Sequence, residues 1–199
     1  MRPLIRFLRR FARADDGVAL VETAIIAVPL FAILFALAEL MTFLTLSLSL
    51  EAATDVGREI RTGQFQTSGA PTRAQFKQLV CDRMPIAIGC ASRLSVEVRT
   101  FESFGEAAAY AGRPVEDFAE LDFEDDPAAF DGVASCFSIG QPRDIVMVRT
   151  YYRAPLITPL FTKSMANIGG ERLLTAATTF RNEPYNNQDP QGGDACYAA

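Results

Sequence analysis

A long apolar segment, Val18 to Leu50, dominates the pattern of hydrophobic and polar positions along the chain. It contains two charged side chains, Glu22 and Glu39, and no lysine or arginine. A helix crosses a bilayer with about 20 apolar residues, so the segment predicts one transmembrane helix over about 18–50. If the span begins at Val18, Glu39 lies near the outer interface; if it begins later, Glu39 is an intramembrane acid that needs a partner.

Five arginines and two aspartates lie in residues 1–17, directly before the apolar segment. The positive-inside rule keeps such a cluster in the cytoplasm, which places the C-terminal part of the chain on the other side of the membrane. A secretory signal peptide is the competing interpretation, but its apolar core usually has about 7 to 15 residues. The apolar run here is about twice as long, which favours a retained anchor.

An amphipathic pattern follows the apolar segment and predicts that the helix continues outside the membrane to about Arg61. One stripe of this extension is apolar and consists of Ala52, Ala53, Val56 and Ile60. The pair Thr62-Gly63 is typical of a helix end, because glycine readily adopts the left-handed conformation found there. The first part of the chain thus divides into a basic leader, 1–17, and a long helix, 18–62.

The remaining chain, 63–199, shows the patterns of a small mixed domain. A capping box from Thr72 to Gln75 opens a helix. Three segments rich in branched and aromatic residues predict strands, namely Leu94–Phe101, Asp144–Tyr152 and Arg172–Phe180. We therefore expect an α+β fold, in which a small antiparallel β-sheet domain with a packed helix follows the N-terminal transmembrane helix.

The stretch between the first two predicted strands, 102–143, is an acidic insert. Seven of its carboxylates lie close together: Glu116, Asp117, Glu120, Asp122, Glu124, Asp125 and Asp126. A calcium site is one alternative, because hard cations prefer several oxygen ligands, but the EF-hand spacing and its glycine are absent. A solvated acidic loop is the favoured interpretation, and a long insert of this kind is where subunit-specific contacts are expected.

The net charge and the residue composition of the chain exclude several classes of function. The formal net charge of -5 and the pI near 4.9 argue against a nucleic-acid partner, which needs a basic face on the protein. The chain has no histidine, so serine–histidine triads, cysteine–histidine pairs and histidine-ligated zinc sites are excluded. We expect a protein that is not an enzyme and that holds no cofactor or metal.

Four cysteines follow the apolar segment: Cys81, Cys90, Cys136 and Cys196. Their even number is compatible with two disulfides in an oxidising compartment. A local pairing joins Cys81 to Cys90 across a short helix-to-strand connection and leaves Cys136 to tie the tail to the insert through Cys196. The other two connectivities remain open at this stage.

The start of the apolar segment has an informative order: Gly17, four apolar residues, Glu22, and then a long apolar helix. This order resembles the class III signal of type IV prepilins, which a membrane-embedded prepilin peptidase cuts on the cytoplasmic side after the glycine. The resemblance implies cleavage between Gly17 and Val18. Cleavage there exposes an ammonium at Val18, about one helical turn from the Glu22 carboxylate, which it neutralises in its own chain or in a neighbouring one.

An uncut anchor is the alternative interpretation of the same residues. Gly17 is then a helix-boundary glycine, and Glu22 extends its carboxylate to the cytoplasmic interface. The protein is in that case an uncleaved single-pass membrane protein with a periplasmic scaffold or binding domain.

The whole chain resembles the TadE-like family of pilus assembly proteins, minor pseudopilins of tight-adherence (Flp-type) type IV pilus systems. The resemblance rests on the blocks ADDGVALVETAIIAVPLF, REIRTGQ, IVMVRTYY and FRNEPY. It implies insertion in the bacterial inner membrane, a periplasmic domain, and a role in assembling or priming a pilus for surface attachment. The implied partners are the prepilin peptidase, other pilin or pseudopilin subunits, inner-membrane pilus assembly proteins and the lipid bilayer.

Two features separate the chain from the major Flp pilins. Thr23 follows Glu22, where the major pilins have tyrosine. Major Flp pilins also lack a large globular domain, so the resemblance implies a minor subunit.

Overall fold

The computed structural model of the chain describes residues 17–67, 71–111, 136–158, 162–168 and 170–184. The chain divides into two compact units, Met1–Leu40 and Met41–Ala199. Among the described residues, a long apolar N-terminal helix is followed by a three-stranded antiparallel sheet and short helices. The predicted α+β class is thereby confirmed.

Helix α1, Gly17–Thr54, has 38 residues and contains Pro29. At 1.5 Å per residue it is about 57 Å long, which exceeds the hydrocarbon thickness of a bilayer. Apolar exposed side chains occur at consecutive positions such as Ile33, Leu34 and Phe35, so they surround the helix and do not form one stripe. Within the described part of the chain, this helix is long and apolar enough to cross a membrane.

The part of α1 that belongs to the second unit contributes one stripe of side chains to a buried core. Phe43, Leu46, Leu50 and Ala53 recur every three or four residues and are buried. This spacing matches the helical period, so they all lie on one face. The opposite face of the same segment, including Leu44 and Leu48, is exposed.

The predicted helix to Arg61 is interrupted. A turn at Asp55 and Val56 separates α1 from helix α2, Gly57–Arg61, and the Val56 N–H donates to the Ala53 carbonyl three residues back. The predicted end at Thr62-Gly63 is confirmed, with Gly63 at a φ of 74°. The predicted apolar stripe is wrong at Ala52, which is exposed, because the buried face of α1 runs through Leu50 and Ala53 and Ala52 lies off that face.

Three short helices follow: α3, Gln64–Thr67; α4, Arg73–Asp82; and α5, Cys90–Arg93. The capping box of α4 is confirmed, since the Thr72 side chain accepts from the Gln75 N–H and the Gln75 side chain accepts from the Thr72 N–H. A disulfide joins Cys81 in α4 to Cys90 in α5 and closes the connection between them, as the local pairing predicted.

The sheet consists of β1, Leu94–Phe101; β2, Ile145–Ala154; and β3, Arg172–Arg181, in the order β1-β2-β3. The predicted first strand has the observed bounds, and the other two differ by one or two residues at their ends. All pairings are antiparallel, with Leu94 opposite Tyr152 and Tyr152 opposite Leu174. Two further helices lie between the strands: α6, Phe104–Ala111, after β1, and α7, Thr162–Met165, before β3.

One face of the sheet packs against α1 and α2. The hydroxyls of Thr54 and Thr150 are 2.8 Å apart, and a Cβ added at Gly57 would come within 3.2 Å of the Val148 side chain. Further along, the Glu183 N–H donates to the Arg61 carbonyl at 2.9 Å. The helical segment therefore runs antiparallel to β2, with its N-terminal part toward the end of β2 at Ala154.

The acidic insert is described at its two ends. Its first part forms α6, and its last part adds a bridge to the free edge of β1, where the Val98 N–H donates to the Cys136 carbonyl and the Ser138 N–H donates to the Val98 carbonyl. On the same edge, the Arg73 guanidinium donates a hydrogen bond to the Val96 carbonyl at 3.0 Å. The cluster of seven carboxylates, including Glu116 and Asp126, lies outside the described residues.

The close approach at Gly57 yields a test of the helix–sheet packing. Gly57→Leu should lower the free energy of unfolding by about 1–3 kcal/mol, because the new side chain meets Phe180, Val148 and Thr178 at 3.0–3.3 Å already at its Cβ. Urea unfolding of the full chain in detergent micelles, followed by circular dichroism, measures the change.

Gly105→Leu is the matched control, because a Cβ at Gly105 meets no atom closer than 3.9 Å. Its stability should stay within about 0.5 kcal/mol of the wild type or rise, since leucine favours a helix over glycine. Equal stability of the two variants would contradict the packing described here.

Candidate functional site

The candidate processing site lies at the N-terminal end of α1. Gly17 is the first described residue of α1, and a Cβ built there meets no described atom within 4 Å.

The candidate register residue, Glu22, is exposed on the first turns of α1. It follows Val18 by four residues, so the two positions share a helix face about 6 Å apart along the axis. The flanking side chains, Leu20, Val21, Ile25 and Ile26, are apolar and exposed. An ionised carboxylate in apolar surroundings is costly unless it is paired, so an ammonium at position 18 would have a strong partner here.

Glu39, the second acid of the apolar segment, is placed differently. Its exposed fraction is 2%, and its spacing places it on the stripe of Phe43, Leu46 and Leu50. The sequence left two positions open for Glu39, near the outer interface or within the membrane, and the structure does not decide between them. Glu22 and Glu51 are the exposed acids of α1.

A buried polar network, which the sequence patterns did not reveal, lies on the sheet face opposite α1. Its centre is Glu97 on β1, whose exposed fraction is 4%. The Glu97 carboxylate accepts hydrogen bonds from the Tyr110 hydroxyl at 2.6 Å and the Tyr151 hydroxyl at 3.2 Å, and it pairs with the Arg99 guanidinium. These contacts connect β1, β2 and α6 through one carboxylate.

Arg149 completes the network from β2, directly opposite Glu97 in the strand register. Its guanidinium carbon lies 5.5 Å from the centre of the Tyr110 ring and 5.2 Å from that of the Tyr151 ring. Arg99 stacks on Tyr110 in the same way at 4.9 Å. Such cation–π contacts gain strength where water is excluded, so they help to fix α6 against the sheet.

The network holds its tyrosines in the neutral form. Burial, assisted by the hydrogen bond to Glu97, raises the pKa of Tyr110 to about 12, and burial likewise raises the pKa of Tyr151 above its ordinary value. Both hydroxyls are therefore donors at neutral pH, and neither is an activated base. The arrangement suits structural fixation better than proton transfer.

The described part of the chain contains neither a free cysteine thiol nor a cluster of acids that could hold a metal ion. Cys81, Cys90 and Cys136 are all disulfide-bonded, so none of them is a free thiol. Cys196, the predicted partner of Cys136, lies outside the described residues. Within the described ranges, no three histidine, cysteine, aspartate or glutamate side chains gather in a way that could hold a metal ion.

Removal of the central carboxylate tests the network. Glu97→Ala should lower the free energy of unfolding by about 3–5 kcal/mol, because it leaves buried arginine and tyrosine donors without their acceptor. Urea unfolding of the full chain in micelles provides the measurement. Glu51→Ala, at an exposed acid in α1, is the control and should change stability by less than about 0.5 kcal/mol; similar losses for both variants would refute the network's role.

Comparison with protein-family models, with curated proteins and with solved structures finds no match for this chain. The resemblance to pilus assembly proteins therefore rests on the quoted sequence blocks alone.

Proposed function

We propose that the protein is a minor pilin-like structural subunit that assembles or primes a tight-adherence (Flp-type) pilus, after a prepilin peptidase removes residues 1–17. In this proposal α1 anchors the chain in the bacterial inner membrane, and the sheet domain lies in the periplasm. The observation that supports it is that α1 has an apolar, exposed surface and begins with the order Gly17, Val18 and Glu22.

The exposed surface of α1 favours surroundings of lipid or of other apolar helices. Thirteen large apolar side chains between Val18 and Leu40 are exposed. Each such side chain gains about 1.5–3 kcal/mol when it leaves water, so this helix is unsuited to an aqueous environment. Lipid and the apolar helices of neighbouring pilus subunits both satisfy this requirement, which is what a pilin-like subunit needs before and after assembly.

The proposed mechanism is lateral helix packing guided by one charge pair. The ammonium created at Val18 and the carboxylate of Glu22 attract each other strongly in the membrane, where few other charges compete. A neighbouring subunit that enters at the wrong height would leave its carboxylate unpaired. Glu22 thus sets the register between subunits, and its exposure on α1 leaves it available for this role.

The second unit is consistent with the periplasmic side of the proposal. It contains the Cys81–Cys90 disulfide and the disulfide-bonded Cys136, which suit an oxidising compartment. Removal of five arginines and two aspartates with the leader changes the formal net charge from -5 to -8. Other pilin or pseudopilin subunits and inner-membrane assembly proteins are the proposed partners of this acidic domain.

N-terminal sequencing of the protein from cells with an active prepilin peptidase tests the proposal. The wild type and Glu22→Gln should both begin at Val18, but Glu22→Gln should fail to support pili because it lacks the charge that sets the register. Gly17→Ala should retain Met1, since the peptidase needs glycine, while its fold is unchanged because a Cβ there has open space.

Glu51→Gln is the matched control for the loss of a carboxylate and should be processed and piliated normally. A wild-type protein that keeps Met1 would overturn the pilus assignment and favour the uncut anchor with a scaffold or binding domain. Normal piliation of Glu22→Gln would refute the register role alone.

A further inference from the structure

Arg149 is a buried arginine that lacks a hydrogen-bond acceptor among the described residues. Its exposed fraction is 9%, and the rings of Tyr110 and Tyr151 lie beside its guanidinium carbon at 5.5 and 5.2 Å. Within the described part of the chain, its N–H groups donate to no oxygen. An arginine carries five N–H donors, and shielding them from water without acceptors costs free energy. The surroundings of Arg149 are therefore incomplete.

The neighbouring carboxylate, Glu97, is already occupied. It lies directly opposite Arg149 in the strand register. Its Oε1 accepts hydrogen bonds from the Arg99 guanidinium and the Tyr110 hydroxyl, and its Oε2 accepts one from the Tyr151 hydroxyl. One carboxylate thus faces two arginines, and it is hydrogen-bonded to Arg99 only. The network lacks one negative charge, which a buried arginine requires of its surroundings.

A group from outside the network can reach Arg149 from the side of β3. The nitrogens of Arg149 are not among the described side-chain atoms that are fully enclosed without a hydrogen bond, so they retain contact with the surface. On that side the register places Ala177, which is small and exposed. Thr175 and Thr179, which share a face with Ala177, are exposed as well. The approach over these three residues is therefore open in the described part of the chain.

A carboxylate is the kind of group that this site fits. A guanidinium presents pairs of parallel N–H donors, and their spacing matches the two oxygens of a carboxylate. The rings of Tyr110 and Tyr151 already restrain Arg149, which reduces the side-chain freedom that binding costs. A charged pair is also stronger here than at the open surface, because most of the arginine is shielded from water.

Both ends of a strongly acidic segment are attached beside this site. Helix α6 carries Tyr110 and ends at Ala111. The described chain resumes at Cys136, whose carbonyl accepts a hydrogen bond from the Val98 N–H on β1. The residues between these points, 112–135, include eight acids and one arginine, and we call them the acidic segment. Carboxylates thus occur in the sequence next to a site that lacks one negative charge.

We propose that Arg149 binds a carboxylate of the acidic segment, which either the same chain or a second copy of the chain supplies. Glu97 holds the two tyrosines, and the tyrosines hold Arg149 in place for the incoming carboxylate. Within one chain this ion pair fixes the acidic segment to the sheet, and between copies it joins two subunits. The inference depends neither on the membrane anchor nor on the pilus assignment.

Carbodiimide cross-linking of Arg149→Lys tests the proposal. A carbodiimide joins an amine to a carboxylate that is in contact with it, and the substitution introduces an amine while it keeps the positive charge. Lys77 and Lys163 are the two lysines of the natural chain, so mass spectrometry assigns the new products readily. The purified full chain is treated in detergent micelles, after far-ultraviolet circular dichroism has verified its fold. Arg58→Lys, at an exposed arginine of α2, is the matched control.

The amine of Arg149→Lys should be coupled to the acidic segment at least about tenfold more than that of Arg58→Lys, since only Arg149 binds a carboxylate of this segment. Coupled products of monomer mass identify the same chain as the source, and products of dimer mass identify a second copy. Coupling only to acids outside the segment, such as Glu97, would overturn the proposal. So would a yield no higher than that of the control.

A second measurement leaves Arg149 unchanged and decides the matter if Arg149→Lys fails to fold. All eight acids of the acidic segment are replaced by their amides, and urea unfolding is followed by circular dichroism. If these acids are only solvated, the loss of like charges should leave the unfolding equilibrium constant unchanged or lower it. The proposal predicts a rise of at least about fivefold, because a buried arginine loses its counter-charge. An unchanged or lower constant would contradict it.

Discussion

The apolar surface of α1 is the constraint on which the rest of the structure depends. Along its first 24 residues, from Gly17 to Leu40, apolar side chains cover the circumference, so hydration of this segment is strongly unfavourable. From Met41 onward the same helix is apolar on one buried stripe, where Phe43, Leu46 and Leu50 form part of the domain core. One continuous helix is therefore both the apolar segment and a structural element of the folded domain.

The two faces of the sheet have different partners, the helical segment on one face and α6 on the other. One face receives the helix so closely that a Cβ at Gly57 would lie 3.0 Å from the Phe180 side chain. The other face carries Glu97 and Arg149, whose contacts with Tyr110 hold α6 in place. A core on one side and a polar network on the other hold β2 from both faces.

Much of the fold followed from local sequence patterns, and the failures have physical causes. Strand β1 was predicted at its observed bounds because its alternation of valine with polar residues is unambiguous. The burial of Glu97 could not be predicted, because strand periodicity does not reveal that α6 covers this side chain. The turn at Asp55 was missed because neither proline nor glycine precedes it, and the tight packing at Gly57 is a tertiary effect. The candidate processing segment could be proposed from the sequence because it depends only on the order of Gly17 and Glu22 along the chain.

The central claim is that α1 spans the membrane with the sheet domain outside the cytoplasm. Protease treatment of spheroplasts, combined with alkaline extraction of their membranes, tests this claim most directly. The account predicts that external protease degrades the domain, and that both the intact chain and a fragment containing α1 stay in the membrane pellet after extraction. Release of the intact protein into the alkaline supernatant, or complete protection of the domain in spheroplasts, would contradict it.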